Sequence, residues 1–318
     1  MRKLLGKWLK NSTLLNMLYN TAYKIRNRKS FFRIQEQRKD VSLFDYKKLS
    51  EPIPFYPLEF VKDSNFYGQN FCIKKYTGLQ HIDVSIEHGL YYGDYIPYSS
   101  YCKTIKKILT FSTIRKKVLG KLNKPVIAIG PYIHYATPLL EEKDACAIHE
   151  KYGRILLFFP THSTKEGGNA YDTNANIEKL KAFAREKNFN TVFICMYYYD
   201  ILHSDVAISY EHAGFKIITA GHQLDLNFLS RLKSIIGLAD YTVSNCVGTH
   251  IGYCLYMKKP HWIINPVVPS SAPKDFIEIT KTFTSYSDII TKEQYETVER
   301  YWGFDQLKTP EELRKLIL

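Results

Sequence analysis

The stretch ADYTVSNCVGTHIGYCLYMKKPHWII, from Ala239 to Ile264, predicts a strand, a polar loop, the start of a helix and a second strand. A loop that opens a helix at a glycine leaves free backbone N–H groups and the positive end of the helix dipole facing whatever the loop holds. Hydroxyl, amide and imidazole side chains add further donors, which suits a phosphate or diphosphate. An ordinary N-cap and a packing glycine use the same residue types, so that interpretation also stands. The residues predicted to bind an anionic donor here are Ser244, Asn245, Gly248, Thr249 and His250.

The sequence upstream of this stretch repeats the same alternation of strands and helices. The apolar runs are RILLFFP (154–160), TVFICMYY (191–198) and FKIITAG (215–221). Helical patterns separate them, and one is predicted to run unbroken over residues 200–212. Near-continuous apolar strands joined by helices are typical of a parallel sheet that is buried on both faces. Because ligands bind at the carboxyl ends of such strands, the loop after YTVSN lies where a ligand is expected.

A second, smaller α/β unit is predicted in the first half of the chain. Its strand candidates are HIDVSIEHG (81–89), KKILTFS (106–112) and KPVIAIG (124–130), and they follow a proline-containing connector over residues 50–63. We therefore expect two Rossmann-like domains that face a cleft. The predicted boundaries are a basic amphipathic N-terminal segment at 1–49, an acceptor-side domain at 50–138, a nucleotide-donor domain at 139–270, and C-terminal helices at 271–318 that pack back on the first domain.

The basic residues are concentrated at the start of the chain. The formal net charge is +13, and residues 1–35 contain lysines and arginines but no acidic residue. Apolar residues recur there at helical spacing, which predicts one or two amphipathic helices with a cationic side. Such a helix suits an anionic membrane surface, with Trp8 at the interface. A helix docked on its own domain explains the pattern as well, whereas nucleic acid is not expected because no nucleic-acid-binding motif accompanies the charge.

Composition excludes several other classes of protein. The six cysteines are scattered without a CxxC pair, so we expect reduced thiols in a cytosolic protein and no zinc site. No apolar run is long enough to span a bilayer, and the N-terminus lacks the apolar segment and cleavage site of a signal peptide. We expect no metal ion and no cofactor.

The loop EHGLYYGD offers candidate catalytic residues at the end of the first predicted strand. His88 lies where the strand meets a glycine turn, so its imidazole is positioned to project into the cleft as a general base. A histidine that only caps the turn through hydrogen bonds explains the same position. The predicted catalytic residues are His88, Glu87 and Asp94.

Two further strand-end loops carry candidate donor-binding residues. The loop PTHSTKEGG contains Thr161, His162, Ser163 and Lys165 beside two glycines, although it has no Walker motif. Hydroxyl, imidazole and ammonium groups around glycines suit a diphosphate, and a plain surface loop is the alternative. The loop AGHQLDLN places His222 near a bound nucleoside, while Asp225 in the same loop equally suits a helix cap.

The order of these loops resembles that of two-domain GT-B glycosyltransferases of bacterial surface polysaccharide synthesis. It is similar to the layout of CDP-glycerol glycerophosphotransferases, where an HG turn, a PT strand end and a late DYSS-type loop follow one another. The matching residues here are His88 with Gly89, Pro160 with Thr161, and Ser244 with Asn245 after Ala239 and Asp240. This chain has no tryptophan before His88, and VSNCVGTH replaces DYSS, so a nucleotide-sugar donor fits as well as or better than a glycerophosphate donor.

The resemblance implies roles for two of these sites. His88 would deprotonate an acceptor hydroxyl, while Ser244 and the helix that starts at Gly248 would stabilise the departing phosphate without a metal ion. We therefore expect a glycosyltransferase that moves a sugar from a nucleotide-activated donor to a growing cell-surface glycan of capsule or O-antigen type. A lipid-linked acceptor and a peripheral position on the inner face of the cell membrane, through residues 1–35, complete this expectation. A polyol-phosphate transferase and a non-catalytic glycan- or nucleotide-binding protein are the alternatives.

Overall fold

The computed structural model describes residues 12–162 and 172–318, and these contain two parallel sheets surrounded by helices. The first sheet has the order β1-β2-β3, with strands β1 (Ser85–Ile86), β2 (Ile108–Thr110) and β3 (Val126–Ala128). The second has the order β6-β5-β4-β7-β8, with strands β4 (Ile155–Phe159), β5 (Thr191–Cys195), β6 (Lys216–Ile218), β7 (Tyr241–Ser244) and β8 (His261–Ile263). The predicted α/β class with parallel sheets is thus confirmed.

The helices of the described residues connect these strands and extend beyond them. They are α1 (Thr13–Gln37), α2 (Tyr46–Ser50), α3 (Gln69–Thr77), α4 (Thr113–Leu119), α5 (Glu142–Tyr152), α6 (Thr173–Glu186), α7 (Tyr198–His203), α8 (Val206–His212), α9 (Phe228–Gly237), α10 (Thr249–Tyr256), α11 (Lys274–Thr284), α12 (Lys292–Val298) and α13 (Pro310–Ile317).

The order of the second sheet creates a crevice between β4 and β7. Strands β5 and β6 extend the sheet on one side of β4, whereas β7 and β8 extend it on the other. The connections after β4 and β7 therefore leave in opposite directions and open a space at the carboxyl ends of these two strands. Every residue of β4 and of β7 is buried, as their apolar sequences predict.

One apolar cluster joins the two sheets. It contains Leu109 and Ile129 from the first half and Leu157 and Phe193 from the second. Burial of apolar side chains contributes about 1.5–3 kcal/mol for each large residue, so this shared cluster holds the two halves together. The division into two domains that face a cleft remains a prediction.

Helix α1 is docked on both halves of the molecule through polar side chains. The amides of Asn20 and Asn27 donate to the carbonyl oxygens of Phe60 and Phe55, at 3.1 and 2.7 Å. At the end of α1, the Gln35 side chain donates to the carbonyl of Leu224 at 2.9 Å and accepts from the N–H of Leu226 at 3.1 Å. Within residues 12–162 and 172–318, no helix has the length and apolar content that crossing a bilayer requires.

Two predicted elements are shorter than expected, for local reasons. The strand predicted over 81–89 is reduced to β1, because the N–H of Ile82 donates to the Glu59 carboxylate and Ser64 donates to the carbonyl of Val84 instead of a strand partner. The helix predicted over 200–212 is interrupted between α7 and α8, because Ser204 adopts an extended backbone and its hydroxyl donates to the carbonyl of Asp200. Both predictions of continuous elements were wrong.

Helices α2 and α3 are absent from the sequence-based interpretation, and the C-terminal helix meets the first half. Helix α3 begins directly after Gly68, whose φ of 65° lies in the left-handed region that glycine adopts without strain. Helix α11 lies within the segment 271–318 that was predicted to be helical. At the end of the chain, Arg314 of α13 donates to the carbonyl of Thr77, and Lys107 donates to the carbonyl of Leu316. The predicted domain boundaries are untested by these contacts.

Candidate functional site

The loops that follow β4 and β7 are joined by the side chain of Asn245. Its Oδ1 atom accepts hydrogen bonds from the N–H of Thr161 at 2.7 Å and from the Thr161 hydroxyl at 2.9 Å. These two donors determine the orientation of the amide, so Nδ2 points away from Thr161. Asn245 is 0% exposed, and its Nδ2 has no hydrogen-bond partner among the described residues. A buried donor pair is therefore held in the crevice at the carboxyl ends of β4 and β7.

Helix α10 starts at the same point without a side-chain cap. Gly248 occupies the N-cap position and supplies no hydroxyl or carboxylate to the first turn of N–H groups. A Cβ atom at Gly248 would lie 2.7 Å from the Cε1 and Nδ1 atoms of His250, because the His250 ring folds back over this residue. A side chain at this position would have to displace the His250 ring, and Gly248 itself adds no capping group to the first turn of α10.

His250 brings a second unpartnered donor or acceptor to this point. Its ring stacks on Phe159 with centroids 4.7 Å apart. Its Nε2 atom is buried and has no hydrogen-bond partner in the part of the chain that the structure describes. Burial, helped by the nearby charge of His162, lowers the pKa of His250 to about 3. The imidazole is therefore neutral at physiological pH, and its proton is free to be placed on Nε2 toward a ligand.

Ser244 does not take the role predicted for it. The side chain is fully buried, donates to the carbonyl of Cys246 at 2.9 Å and lies 2.9 Å from Nε2 of His261. Thr242 lies 2.8 Å from the other ring nitrogen of His261. The physical reason is the register of β7, which turns both hydroxyls toward the histidine of β8. Ser244 supports the loop from beneath, and we no longer assign it to a ligand.

The loop after β1 touches the start of α10. The N–H of Leu90 donates to the Thr249 hydroxyl at 2.9 Å, and a Cβ atom at Gly89 would lie 3.3 Å from the same oxygen. From the other side, the Gln69 side chain donates to the carbonyl of His88 at 2.9 Å. Thr249 therefore binds the neighbouring loop, and the predicted catalytic and donor-binding segments lie next to each other.

His88 is enclosed by aromatic rings. The Tyr91 hydroxyl lies 3.2 Å from its Nε2 atom, and the rings of Tyr67 and Phe66 have centroids 5.8 and 6.3 Å from the imidazole. Burial lowers the pKa of His88 from its ordinary 6.5, although the charges of Asp63 and Glu87 oppose this effect. A neutral imidazole near pH 7 is the form that a general base needs.

Glu87 and Asp94 are engaged elsewhere, which corrects their prediction as catalytic residues. The buried carboxylate of Glu87 accepts from the Arg115 guanidinium at 2.8 to 3.2 Å and from the Thr110 hydroxyl at 2.7 Å. Because removing one member of a buried ion pair leaves an uncompensated charge, Glu87 is a structural residue of this turn. The Asp94 side chain is 82% exposed and pairs with Lys121 at 3.2 Å.

The predicted donor-binding residues His162 and His222 contact tyrosine rings in the second half of the chain. The ring of His162 meets Tyr197 with centroids 4.9 Å apart, and that of His222 meets Tyr198 at 4.3 Å. His222 is nearly buried, and its Nδ1 accepts from the N–H of Leu224 at 3.1 Å. Burial, followed by the charge of Arg38, lowers the pKa of His222 to about 4. Ser163 and Lys165, which were also predicted here, lie outside the described residues.

Asp225 of the same loop is a buried structural charge. It lies 3.0 Å from Arg231 and 3.5 Å from Arg38, and its other carboxylate oxygen accepts from the N–H of Asn227 at 2.9 Å. Arg38 also donates to the carbonyl of Leu49 at 2.7 Å. Asp225 thus precedes Asn227, the N-cap residue of α9, and does not cap the helix itself, so the cap alternative was wrong; its carboxylate belongs to an ion cluster that binds the end of α1 to this loop.

The sequence interpretation missed several residues that shape the site. Tyr91 and Arg115 were not singled out, yet the Arg115 guanidinium lies 5.3 Å from the centre of the Tyr91 ring and Tyr91 contacts His88. Tyr67 adopts a φ of 57°, which is rare outside glycine and is stabilised by its N–H donating to the carbonyl of Gln223 at 2.7 Å. Only the enrichment in tyrosine near strand ends pointed to such residues. Among the described residues, no group of three or more metal-ligating side chains is assembled.

This chain aligns with several solved structures, but with low TM-scores. No family model matches this chain, and no curated protein matches it. Among solved structures, the S. aureus MnaA–UDP complex aligns with a TM-score of 0.41 at 10% identity, covering 74% of this chain and 64% of the other. A variant of the wall teichoic acid polymerase TagF aligns at 0.36 and 10% identity, with coverages of 67% and 56%. A glycosyltransferase from Rickettsia africae aligns at 0.36 and 17% identity, with coverages of 76% and 70%.

This chain thus spans less than two thirds of the length of the first two of these proteins. TM-scores below 0.5 at such identities do not establish a shared fold or activity.

Proposed function

We propose that this protein is a metal-independent glycosyltransferase of GT-B type that takes its sugar from a nucleotide-activated donor. The observation that carries the proposal is a pair of buried side-chain atoms, Asn245 Nδ2 and His250 Nε2, that have no partner in residues 12–162 and 172–318 and lie at the start of α10. An unsatisfied buried polar group costs about 1–3 kcal/mol, so such a pair calls for a ligand rich in hydrogen-bond acceptors. The diphosphate of a nucleotide sugar is a ligand of that kind and favours the positive end of a helix.

The neighbouring His88 supplies the second requirement of a transferase. In the proposed reaction, the imidazole of His88 takes the proton of the acceptor hydroxyl as the acceptor oxygen bonds to the anomeric carbon of the sugar. The bond from that carbon to the diphosphate oxygen breaks, and the nucleoside diphosphate leaves with the electron pair. The N–H groups of α10, together with Asn245, stabilise the charge that develops on the leaving oxygen. The aromatic rings of Tyr197 and Tyr198 suit contacts with a sugar or a base.

The acceptor and the place of action belong to the same proposal. A growing cell-surface glycan on a lipid carrier is the proposed acceptor, at the inner face of the cell membrane. Support comes from α1, whose side opposite the docking asparagines carries exposed apolar residues. They are Leu14, Leu18, Ile25 and Phe32, and basic residues lie beside them at Lys24, Arg26, Arg28, Lys29 and Arg33. An apolar stripe flanked by cations suits a helix lying in the plane of an anionic membrane.

Ligand-induced thermal stabilisation tests the donor site. A panel of nucleotide sugars with different bases, CDP-glycerol and the free nucleoside diphosphates is added to the purified protein. A ligand that binds the native state raises the melting temperature by an amount set by its affinity, so at least one nucleotide sugar should do so. Product analysis with that donor then separates a glycosidic linkage from the phosphodiester that a polyol-phosphate transferase would form.

Two variants connect the stabilisation to the site. Asn245→Asp keeps the oxygen that accepts from Thr161 and replaces the N–H donors by a negative charge. His250→Phe keeps a ring to stack on Phe159 and removes Nε2. Each should weaken donor binding about tenfold or more, because a charge-assisted hydrogen bond contributes about 1.5–3 kcal/mol. Asn123→Asp, at an exposed turn, is the matched control and should bind normally. The proposal fails if no member of the panel binds, or if both variants bind as the unmodified protein does.

A further inference from the structure

The loop that follows β1 carries Tyr92 and is held in place by two contacts with the second half of the chain. Two residues before it, the N–H of Leu90 donates to the Thr249 hydroxyl of α10. One residue after it, the N–H of Gly93 donates to the Asp275 carboxylate of α11 at 2.6 Å. Gly93 has a φ of 58°, and a Cβ atom there would lie 2.9 Å from Pro273, so the close approach requires glycine. Tyr92 is thus fastened between two contacts that both belong to the second half of the chain.

The Tyr92 side chain has a packed ring and an unsatisfied hydroxyl. Its ring meets Phe276 edge to face, with centroids 5.2 Å apart. Its hydroxyl oxygen is buried and has no hydrogen-bond partner among residues 12–162 and 172–318. Buried tyrosine hydroxyls usually have a hydrogen-bond partner, and leaving such a hydroxyl without a hydrogen bond costs about 1–3 kcal/mol of stability. The ring contact alone would be supplied equally well by phenylalanine.

The loop that carries this hydroxyl contacts the start of α10, which is part of the candidate donor site. The loop that carries Tyr92 is bonded to α10 through Leu90 and Thr249, and burial raises the pKa of Tyr92 well above its ordinary 10. The phenol therefore stays protonated and acts as a hydrogen-bond donor. Asn245 Nδ2, His250 Nε2 and the Tyr92 hydroxyl are three buried polar atoms that have no hydrogen-bond partner among the described residues.

We propose that the Tyr92 hydroxyl donates a hydrogen bond to the diphosphate of the nucleotide donor, so that the first half of the chain takes part in donor binding. This inference rests on the proposed function and assigns Tyr92 to the same site. A diphosphate offers acceptor oxygens in several directions, and donors from both halves are then satisfied by one ligand. Tyr92 therefore contacts the diphosphate of the donor, and neither the base nor the sugar.

Tyr92→Phe provides a test in which a ligand role and a structural role give opposite results. Without ligand, the variant should melt at the same temperature as the unmodified protein or higher, because no bond is lost and a buried unsatisfied group is removed. Its dissociation constants for UDP, CDP, GDP and inorganic diphosphate, measured by calorimetry, should rise about tenfold for those that the unmodified protein binds. A lower melting temperature with unchanged binding would show that the hydroxyl is structural and would overturn the inference.

The matched control is Tyr241→Phe, which removes a buried tyrosine hydroxyl that has a partner. Tyr241 donates to the carbonyl of Ser287 at 2.7 Å, so its variant should melt at a lower temperature and bind nucleotides normally. If the unmodified protein binds one of the four probes and Tyr92→Phe binds it equally well, this inference fails while the proposed function stands. If the unmodified protein binds none of the four probes and no nucleotide sugar, the proposed function fails and the inference with it.

Discussion

At the scale of single residues, His88 combines the features that a general base needs. The backbone carbonyl of His88 accepts a hydrogen bond from the Gln69 side chain, and its imidazole Nε2 lies within hydrogen-bond distance of the Tyr91 hydroxyl. Tyr91 is held in turn by the Arg115 guanidinium over its ring, and Arg115 is held by the buried Glu87. A base oriented by a partner that is itself oriented is the arrangement that proton transfer in an active site requires.

We expect His88→Ala to lower turnover about a hundredfold or more, because general base catalysis contributes roughly 10²–10⁴-fold. Since a base must be neutral, activity of the unmodified protein should be constant near pH 7 and fall as the pH drops through the pKa of His88. Burial lowers this pKa, so the fall should occur below pH 6.5. Turnover and circular dichroism of His88→Ala are to be compared with those of His81→Ala, an exposed control. Near-normal turnover in a folded His88→Ala would remove this residue from the mechanism.

The residue types of the site were predictable, but their orientation was not. Asn245, Gly248 and His250 were singled out because they lie at the predicted junction of a strand and a helix, and their role in ligand binding stays a prediction. Whether Ser244 faces the crevice or the interior depends on β8, whose His261 is paired with it across the sheet. The partner of Glu87 lies 28 residues away in α4. Contacts between residues that are this far apart in the chain leave no periodic pattern in a single sequence.

At the scale of elements, the long apolar strands were predictable and the short ones were not. Every residue of β4 and β7 is buried, so the near-continuous apolar run typical of a buried strand is visible in their sequences. Strand β1 is cut short by side chains of Glu59 and Ser64, which no local pattern reveals. Helix α3 was missed because its start depends on Gly68 and its face on packing against the other elements. Tertiary hydrogen bonds therefore account for most of the errors.

Helix α1 carries a prediction about the membrane. Ile25 is 80% exposed and Leu18 is 59% exposed on the stripe proposed to enter the interface. A double variant, Leu18→Ser with Ile25→Ser, should lose most sedimentation with anionic vesicles, because apolar burial and attraction to anionic lipid act together. Binding of the unmodified protein should also weaken as salt is raised, since each basic residue near the surface contributes about 1 kcal/mol at low salt.

The control for this experiment places the same changes elsewhere. Ile289 and Val268 are exposed apolar residues outside α1, and their double serine variant should sediment as the unmodified protein does. Deleting the helix is a poor test, because Asn20, Phe31 and Gln35 are buried against the body of the protein. Equal sedimentation of the α1 variant and its control would contradict a membrane role for the stripe.

At the scale of the whole molecule, buried histidines make the fold sensitive to acid. Burial lowers the pKa of His222 to about 4 and holds that of His261 well below its ordinary 6.5. Below pH 6.5 the unfolded chain binds protons at these residues and the native state does not, so stability falls as the pH falls. The contribution of each histidine is about 1.4 kcal/mol per pH unit within this window.

We therefore expect the free energy of unfolding to be lower at about pH 5.5 than at about pH 7.5, with a slope that His222→Gln makes shallower. Urea denaturation at several pH values measures it. A flat profile over this range would show that these histidines accept protons in the native state. The high positive charge of the chain, +13, adds self-repulsion as further groups become protonated.

The attachment of α1 to the loop before α9 has a consequence for the order of folding during synthesis. Gln35 bonds to Leu224, a residue 189 positions later in the chain. The contacts of Asn20 and Asn27 with Phe60 and Phe55 can form soon after α1 is synthesised, whereas the contact of Gln35 with Leu224 has to wait for most of the chain. Pairings this distant in sequence form late. The nascent chain thus presents the exposed apolar and basic residues of α1 for most of its translation, before the contact of Gln35 can form.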